Sequence, residues 1–148
     1  MIRCACRDDA AKVVALLQYA QDELGHSSGL TIDPATAEHS LVQFSRNPTV
    51  FFYVMEDGGE IVGAAIGMAV SPWCTKDKVA SDMLFYCLPK YRGRGVLLIK
   101  RFISWAQGFD AVRQIVLTNA TDDPRISRLY QRLGFILKGG LFIKECPR

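Results

Sequence analysis

The chain has 148 residues, 49% of them hydrophobic and 22% charged, a composition typical of one folded domain with a single core and not of a disordered or fibrous protein. Its longest uncharged apolar run, residues 61–70, is too short for a membrane span of roughly 20 residues. Residues 1–10 lack the apolar stretch of a signal peptide. We therefore expect one cytoplasmic domain over residues 1–148 with no membrane partner.

Apolar periodicity and turn residues predict a chain order of β-α-α-β-β-β-α-β-α-β. The predicted elements are strand 2–6, helices 8–24 and 33–44, strands 50–55, 60–70 and 79–88, helix 95–107, strand 114–118, helix 124–133 and a last strand or hairpin 135–145. Asp8 and Asp9 are expected to cap the first helix and supply its first-turn acids, Asp33-Pro34 to open the second helix and Asp123 to cap the last one. Residues 25–29 are expected to form a loop. The Asp57-Gly58 turn predicts an antiparallel hairpin. The expected fold is an α/β (α+β) domain with a mixed, mostly antiparallel twisted sheet of six or seven strands flanked by about four helices.

Cysteine spacing argues against a disulfide framework or a zinc site, because the number is odd and no C-x-x-C pair occurs. We expect reduced, mostly packed thiols and no bound metal. The five residues are Cys4, Cys6, Cys74, Cys87 and Cys146.

Charge is unevenly distributed along the chain. Residues 1–89 carry 6 Lys/Arg and 11 Asp/Glu, a balance of −5, whereas residues 90–148 carry 12 and 4, a balance of +8; the two add to the net +3. A basic second half favours an anionic partner, which charge alone leaves open between nucleic acid, a phosphorylated cofactor and an acidic protein. A solvated basic face without a partner is the plain alternative.

The stretch Arg92-Gly93-Arg94-Gly95 joins a predicted strand to a predicted helix. Amides in the first turn of a helix lack intrahelical partners, glycines permit positive φ and close approach, and two arginines add charge. This pattern predicts a phosphate site. No Gly-Lys-Ser/Thr follows, which excludes a Walker A loop, and the glycine spacing excludes a Rossmann fingerprint. An R-G-R hook for DNA is disfavoured because an apolar helix follows directly.

This turn resembles the signature of the GCN5-related N-acetyltransferases, which is Arg or Gln, two residues, Gly, one residue, then Gly or Ala. Here it is Arg92-Gly93-Arg94-Gly95-Val96-Leu97, with Leu97 at the final Gly/Ala position. A second family landmark, a helix tyrosine shortly before Gly-Phe, is matched by Tyr130 and Gly134-Phe135. The likeness covers nearly the whole chain. The residues of the strand before the turn and the small size of the chain resemble the acetyltransferases of phages and prophages.

The resemblance implies that acetyl-CoA is the co-substrate. It places the pyrophosphate on the amides of the turn and the pantetheine arm on the main chain of the preceding strand. The implied cofactor-binding residues are Tyr86, Cys87, Leu88, Arg92, Gly93, Arg94, Gly95, Val96 and Leu97. Asn119, at the end of the strand before the last helix, is either a further polar contact or a plain turn residue. The side chain of Leu97 falls with Arg101 and Ser104 on the more polar helix side, where it either covers or crowds the cofactor. Arg125, Arg128 and Arg132 meet the 3′-phosphate or are simply solvated.

Acetyl transfer to an amine needs a proton acceptor, since an amine of pKa about 10.4 is mostly protonated at pH 7. Asp82 is the leading candidate, and alternation predicts that it shares a face with Leu84 and Tyr86. The plain alternative is that Asp82 is an edge or loop carboxylate without a catalytic role. Glu23 and Glu38 are fallbacks. The family's usual proton donor to the leaving thiolate corresponds to Tyr130, although a packed tyrosine fits the same pattern.

The sequence thus favours an enzyme that moves acetyl from acetyl-CoA to a primary amine in a ternary complex. The alternatives are a non-catalytic acyl-CoA-binding module and, less favoured, a basic nucleic-acid-binding domain. The acceptor, a small molecule or a peptide, would bind between residues 24–36 and 71–78. His26 and His39 are interpreted as loop and helix-surface residues, Cys87 as packed, and the protein as a monomer or homodimer.

Overall fold

The computed structural model describes residues 1–24 and 30–147, so the loop predicted at residues 25–29, with His26, lies outside the described part. The elements in chain order are β1 (Ile2–Cys4), a 3-10 turn (Arg7–Asp9), α1 (Ala10–Leu24), α2 (Pro34–Phe44), β2 (Val50–Asp57), β3 (Glu60–Val70), β4 (Lys78–Cys87), a 3-10 turn (Pro89–Arg94), α3 (Gly95–Gln107), β5 (Val112–Val116) and α4 (Pro124–Arg132). Within the described residues, none of these helices has the length and hydropathy needed to cross a bilayer.

The strands form one mixed sheet in the order β1-β2-β3-β4-β5. The first four are antiparallel neighbours, and β4 pairs with β5 in parallel. On one face α1 contributes Val13 and Leu16 to a core with Phe52 from β2. On the other face α3 contributes Leu98 and Phe102. The mixed sheet between helical layers agrees with the sequence prediction.

Local signals set several element ends as predicted. The Asp33 carboxylate accepts a hydrogen bond from the Thr36 amide at 3.0 Å and caps α2. Asp123 accepts from the Arg125 amide at 2.9 Å and caps α4. The β2–β3 hairpin turns through Gly58 at φ 58°, a backbone conformation that glycine adopts without a Cβ penalty.

Asp9 ties β1 to the start of α1. Its carboxylate is 3% exposed and accepts from two Arg3 guanidinium nitrogens at 2.8 and 2.9 Å and from the Cys6 amide at 2.8 Å. The Arg3 hydrogen bonds hold the pKa of Asp9 well below its usual range. Asp8 and Asp9 lie in the 3-10 turn and α1 begins after them at Ala10, so the predicted start of the first helix at residue 8 is two residues too early.

The prediction of six or seven strands is wrong, because the sheet has five strands in the described part of the chain and residues 135–147 form none. The large apolar side chains between Ile136 and Ile143 are exposed, with Phe142 at 98%. The pattern explains the difference. Ile136-Leu137 and Leu141-Phe142-Ile143 are unbroken apolar runs on either side of two glycines, so no alternation fixes which side chains face the sheet.

Candidate active site

The parallel pair β4–β5 opens at the middle of β4. Pairing runs from Lys78 with Val112 to Ser81 with Val116. At the next residue, the Asp82 carboxylate accepts the Thr118 amide at 3.1 and 3.2 Å. Beyond this point β4 stays paired with β3 as far as Cys87, while no β5 partner follows in the described residues. A main-chain edge is thereby left open on β4.

A β-bulge at Met83 sets the directions of the side chains at this opening. Gly67 of β3 pairs with Asp82, but Ile66 pairs with Leu84, so Met83 is an extra residue. Paired residues share a face, which places Asp82 on the α3 face with Phe85, opposite Leu84. The prediction that Asp82 shares a face with Leu84 and Tyr86 is therefore wrong, since alternation fails across a bulge.

Two opposing effects act on the Asp82 carboxyl. Burial raises its pKa, the hydrogen bond from the Thr118 amide lowers it, and burial dominates, so the pKa lies above its usual value. A raised pKa makes this carboxylate a stronger proton acceptor than an exposed aspartate.

Tyr130 on α4 also contacts Thr118, the residue after β5 that binds Asp82. Its hydroxyl donates to the Thr118 carbonyl at 3.2 Å. Burial, together with the nearby Asp82 charge, raises the pKa of Tyr130 to about 12. A groove of about 930 Å³ lies beside it, between β5, α4 and residues 133–138. The structure thus brings both predicted proton-transfer residues to Thr118, which sequence reasoning did not single out.

We call the predicted phosphate-binding turn, Arg92-Gly93-Arg94-Gly95, the anion turn. Its first three residues belong to a 3-10 helix that runs directly into α3. The Gly95 amide donates to the Arg92 carbonyl, so that amide is engaged within the turn. The expectation of positive φ fails here, because the positive-φ glycines of the described chain lie at other positions. A Cβ added to Gly93 would meet no heavy atom within 4 Å. The contribution of Gly93 is therefore open surface rather than an unusual backbone conformation.

Two acids from distant parts of the chain anchor this turn. The Tyr91 hydroxyl donates to Asp57 Oδ2 at 2.7 Å. Arg92 forms an ion pair with Glu23, which also accepts the Tyr86 hydroxyl at 2.5 Å. No sequence signal predicts these contacts, because their partners are 34, 69 and 63 residues apart.

Glu23 is a poor candidate for the fallback base. The hydrogen bonds from Tyr86 and Arg92 lower its pKa, which disfavours proton uptake at neutral pH. The other fallback, Glu38, is exposed on α2, as is His39.

The remaining predicted contacts occupy different surroundings. Cys87 is buried, and burial raises the pKa of its thiol to about 11, which fits packing rather than nucleophilic catalysis. The other four cysteines are exposed, so the prediction of mostly packed thiols is wrong. Leu97 lines a separate groove of about 550 Å³ with Met55 and Arg101. The Asn119 amide nitrogen donates to the Asp123 carbonyl at 2.8 Å and to Ser127 Oγ at 2.9 Å, which gives it a structural role at the start of α4.

Comparison with known proteins identifies the family. The model of the acetyltransferase (GNAT) family matches residues 14–135, a span that includes the β4–β5 opening, the anion turn and Tyr130. The chain belongs to the GNAT acetyltransferase family.

Solved structures of low sequence identity share the GNAT fold. The GNAT-family acetyltransferase from Streptococcus pneumoniae is 24% identical, with a TM-score of 0.78 over 98% of this chain and 92% of that one. A predicted acetyltransferase with acetyl-CoA from Clostridium acetobutylicum is 14% identical, with a TM-score of 0.75 over 98% and 95%. A protein described as a transcriptional regulator from Bacillus halodurans C-125 is 22% identical, with a TM-score of 0.78 over 98% and 99%. No curated protein matches the chain. The closer likeness to phage acetyltransferases stays a prediction.

Proposed function

We propose that this GNAT protein transfers the acetyl group of acetyl-CoA directly to a primary amine. The observation that carries the proposal is the convergence of Asp82 and Tyr130 on Thr118, at the point where β4 and β5 separate. One carboxylate and one phenol at a strand opening supply the proton acceptor and the proton donor that aminolysis of a thioester requires. The acetyl-CoA named for the Clostridium acetobutylicum structure supports the choice of co-substrate.

In the proposed complex, the diphosphate lies at the turn around Gly93, where the structure leaves open surface. The side chains of Arg92 and Arg94 add positive charge there, and the start of α3 adds its dipole. The pantetheine arm lies along the edge of β4 at Tyr86 and Cys87, where β5 no longer pairs. This path leads the thioester from the turn toward Asp82.

The proposed reaction has two proton transfers. The amine nitrogen attacks the thioester carbonyl and passes a proton to the Asp82 carboxylate, and the C–S bond breaks as the C–N bond forms. The Tyr130 hydroxyl gives its proton to the departing sulfur, and transfer of the proton from Asp82 to the Tyr130 phenolate, directly or through solvent, restores both groups. Protonation of Asp82 removes a negative charge that raises the pKa of Tyr130, so the first transfer makes the phenol a stronger acid for the second.

The test measures binding before chemistry. Calorimetry with coenzyme A and acetyl-CoA should give a saturable heat, and thiol release with a panel of small and peptide amines should then identify an acceptor. A protein that binds neither cofactor contradicts the proposal. Binding without turnover on any amine favours the non-catalytic acyl-CoA-binding alternative. We propose this activity for one domain, residues 1–148, acting in the cytoplasm as a monomer or homodimer.

A further inference from the structure

Two acidic side chains outside the proposed catalytic pair contact the proposed cofactor turn, and one of them, Glu23, binds an arginine of the turn. Glu23 lies in the last turn of α1, and both of its carboxylate oxygens are engaged. Oε2 accepts the Tyr86 hydroxyl at 2.5 Å, and Oε1 pairs with the Arg92 guanidinium. The cluster links the end of α1, the end of β4 and the first arginine of the turn.

The two partners of Glu23 differ in their burial. Tyr86 is 7% exposed and fixed in the core beneath α1, so its hydrogen bond anchors the carboxylate. The Arg92 side chain is 49% exposed and its guanidinium carbon lies 6.0 Å from the Tyr86 ring centroid. An exposed ion pair contributes little to stability. Arg92 is therefore the member of the cluster whose contact with Glu23 is broken at the smaller cost.

We propose that Glu23 is a positioning residue that competes with the cofactor diphosphate for the Arg92 guanidinium. The inference rests on the proposed function. Without cofactor, Glu23 holds Arg92 toward α1 and Tyr86. A diphosphate at the turn is a doubly charged, bidentate partner for arginine, and it takes Arg92 from Glu23. The carboxylate remains anchored by Tyr86, and its negative charge is then no longer balanced by Arg92.

The competition model and a purely supporting role of Glu23 predict opposite changes in coenzyme A affinity for the same substitution. Glu23→Gln keeps the side-chain shape and an acceptor for Tyr86 but removes the charge that retains Arg92. If Glu23 competes for Arg92, this variant binds coenzyme A about two- to fivefold more tightly, the range expected for one exposed ion pair. If Glu23 instead aligns Arg92 for the cofactor, the variant binds more weakly.

The experiment is calorimetry with coenzyme A on the full chain and four variants. Asp22→Asn is the matched control, because it removes the same charge from the neighbouring exposed position of α1 and should change affinity less than Glu23→Gln does. The gain from Glu23→Gln should disappear in an Arg92→Gln background, which a double-variant cycle measures. The fourth variant is Arg92→Gln alone.

The pH profile separates competition from a general effect on folding. The ratio of the two dissociation constants, wild type to Glu23→Gln, should fall toward one as the pH is lowered through the depressed pKa of Glu23 and the carboxyl itself becomes neutral. Weaker or unchanged binding by Glu23→Gln, or a gain that persists without Arg92, overturns the inference. Absence of coenzyme A binding by the wild type overturns the proposed function instead.

Discussion

Replacement of Tyr130 by phenylalanine tests the proposed proton donor most directly. The substitution removes only the hydroxyl that donates to the Thr118 carbonyl at 3.2 Å. The loss of one hydrogen bond should cost about 1 kcal/mol of folding free energy and lower the melting temperature by about 2–4 °C. The folded variant should bind coenzyme A as the wild type does, since the hydroxyl is not at the anion turn.

The expected loss of turnover follows from the acidity of the phenol. With its pKa raised to about 12, proton transfer to a thiolate of pKa about 8.5 is uphill by about 5 kcal/mol, against about 2 kcal/mol for an ordinary tyrosine of pKa about 10. Protonation of Asp82 returns part of this difference. A positioned general acid contributes about 10²–10⁴-fold, and the unfavourable acidity places our expectation for Tyr130→Phe at about 10²–10³-fold in kcat.

Thiol release under saturating acetyl-CoA, at pH 7 to 10, measures this effect. Because a general acid acts in its protonated form and the pKa of Tyr130 is raised, the wild-type rate should not fall through loss of this proton as pH approaches 10. Tyr19→Phe is the control, since Tyr19 is 63% exposed on α1. A Tyr130→Phe turnover within about threefold of wild type, with unchanged affinity, would remove Tyr130 from the mechanism.

Three further substitutions separate function from stability. Asp82→Asn should lower kcat by about 10²-fold or more yet raise the melting temperature at pH 7. The melting temperature should rise because the raised pKa means that the ionised carboxyl opposes folding. This gain in melting temperature should vanish below about pH 4, where the carboxyl is neutral in the unfolded and the folded chain. A lower melting temperature of the variant at pH 7 contradicts this reasoning. Gly93→Ala places its Cβ in open space, so the fold should tolerate it while coenzyme A binding weakens about tenfold by calorimetry; equal affinity would mean that the cofactor does not lie there. Gly67→Ala would bring its Cβ to 2.4 Å from Phe102 Cε2 and 2.9 Å from the Ser81 carbonyl. This clash should lower the free energy of unfolding, measured with denaturant, by about 1–3 kcal/mol. The control Gly140→Ala meets no neighbour within 4 Å and should change the free energy of unfolding little.

The features that the sequence predicted are those with a short-range cause. Asp33 and Asp123 cap helices through amides two or three residues away, and Gly58 turns a hairpin whose strands flank it. The helix that begins after the anion turn ends at Gln107, as its apolar spacing predicts. Each of these needs only a few neighbouring residues, so composition and spacing suffice to find it.

The pairing of Glu23 with Arg92 could not be predicted in the same way. It joins residues 69 positions apart, and only the packing of α1 against β3 and β4 brings them together. Thr118 was missed for a related reason, because it acts through its main-chain amide and carbonyl. Main-chain groups are the same for almost every residue and leave no trace in the sequence.

The error at Asp82 has a more specific cause, and it bears on how the proposed site works. Met83 adds one residue between Asp82 and Leu84 relative to β3, and one added residue reverses every side-chain direction beyond it. With regular pairing, either Asp82 or the Tyr86 side chain would leave its present face, and the contacts to Thr118 and Glu23 could not coexist. The bulge therefore lets one strand direct Asp82 toward Tyr130 on α4 and Tyr86 toward α1. The proposed proton transfers thus take place on the opposite face of the sheet from Glu23, the acid that binds the anion turn.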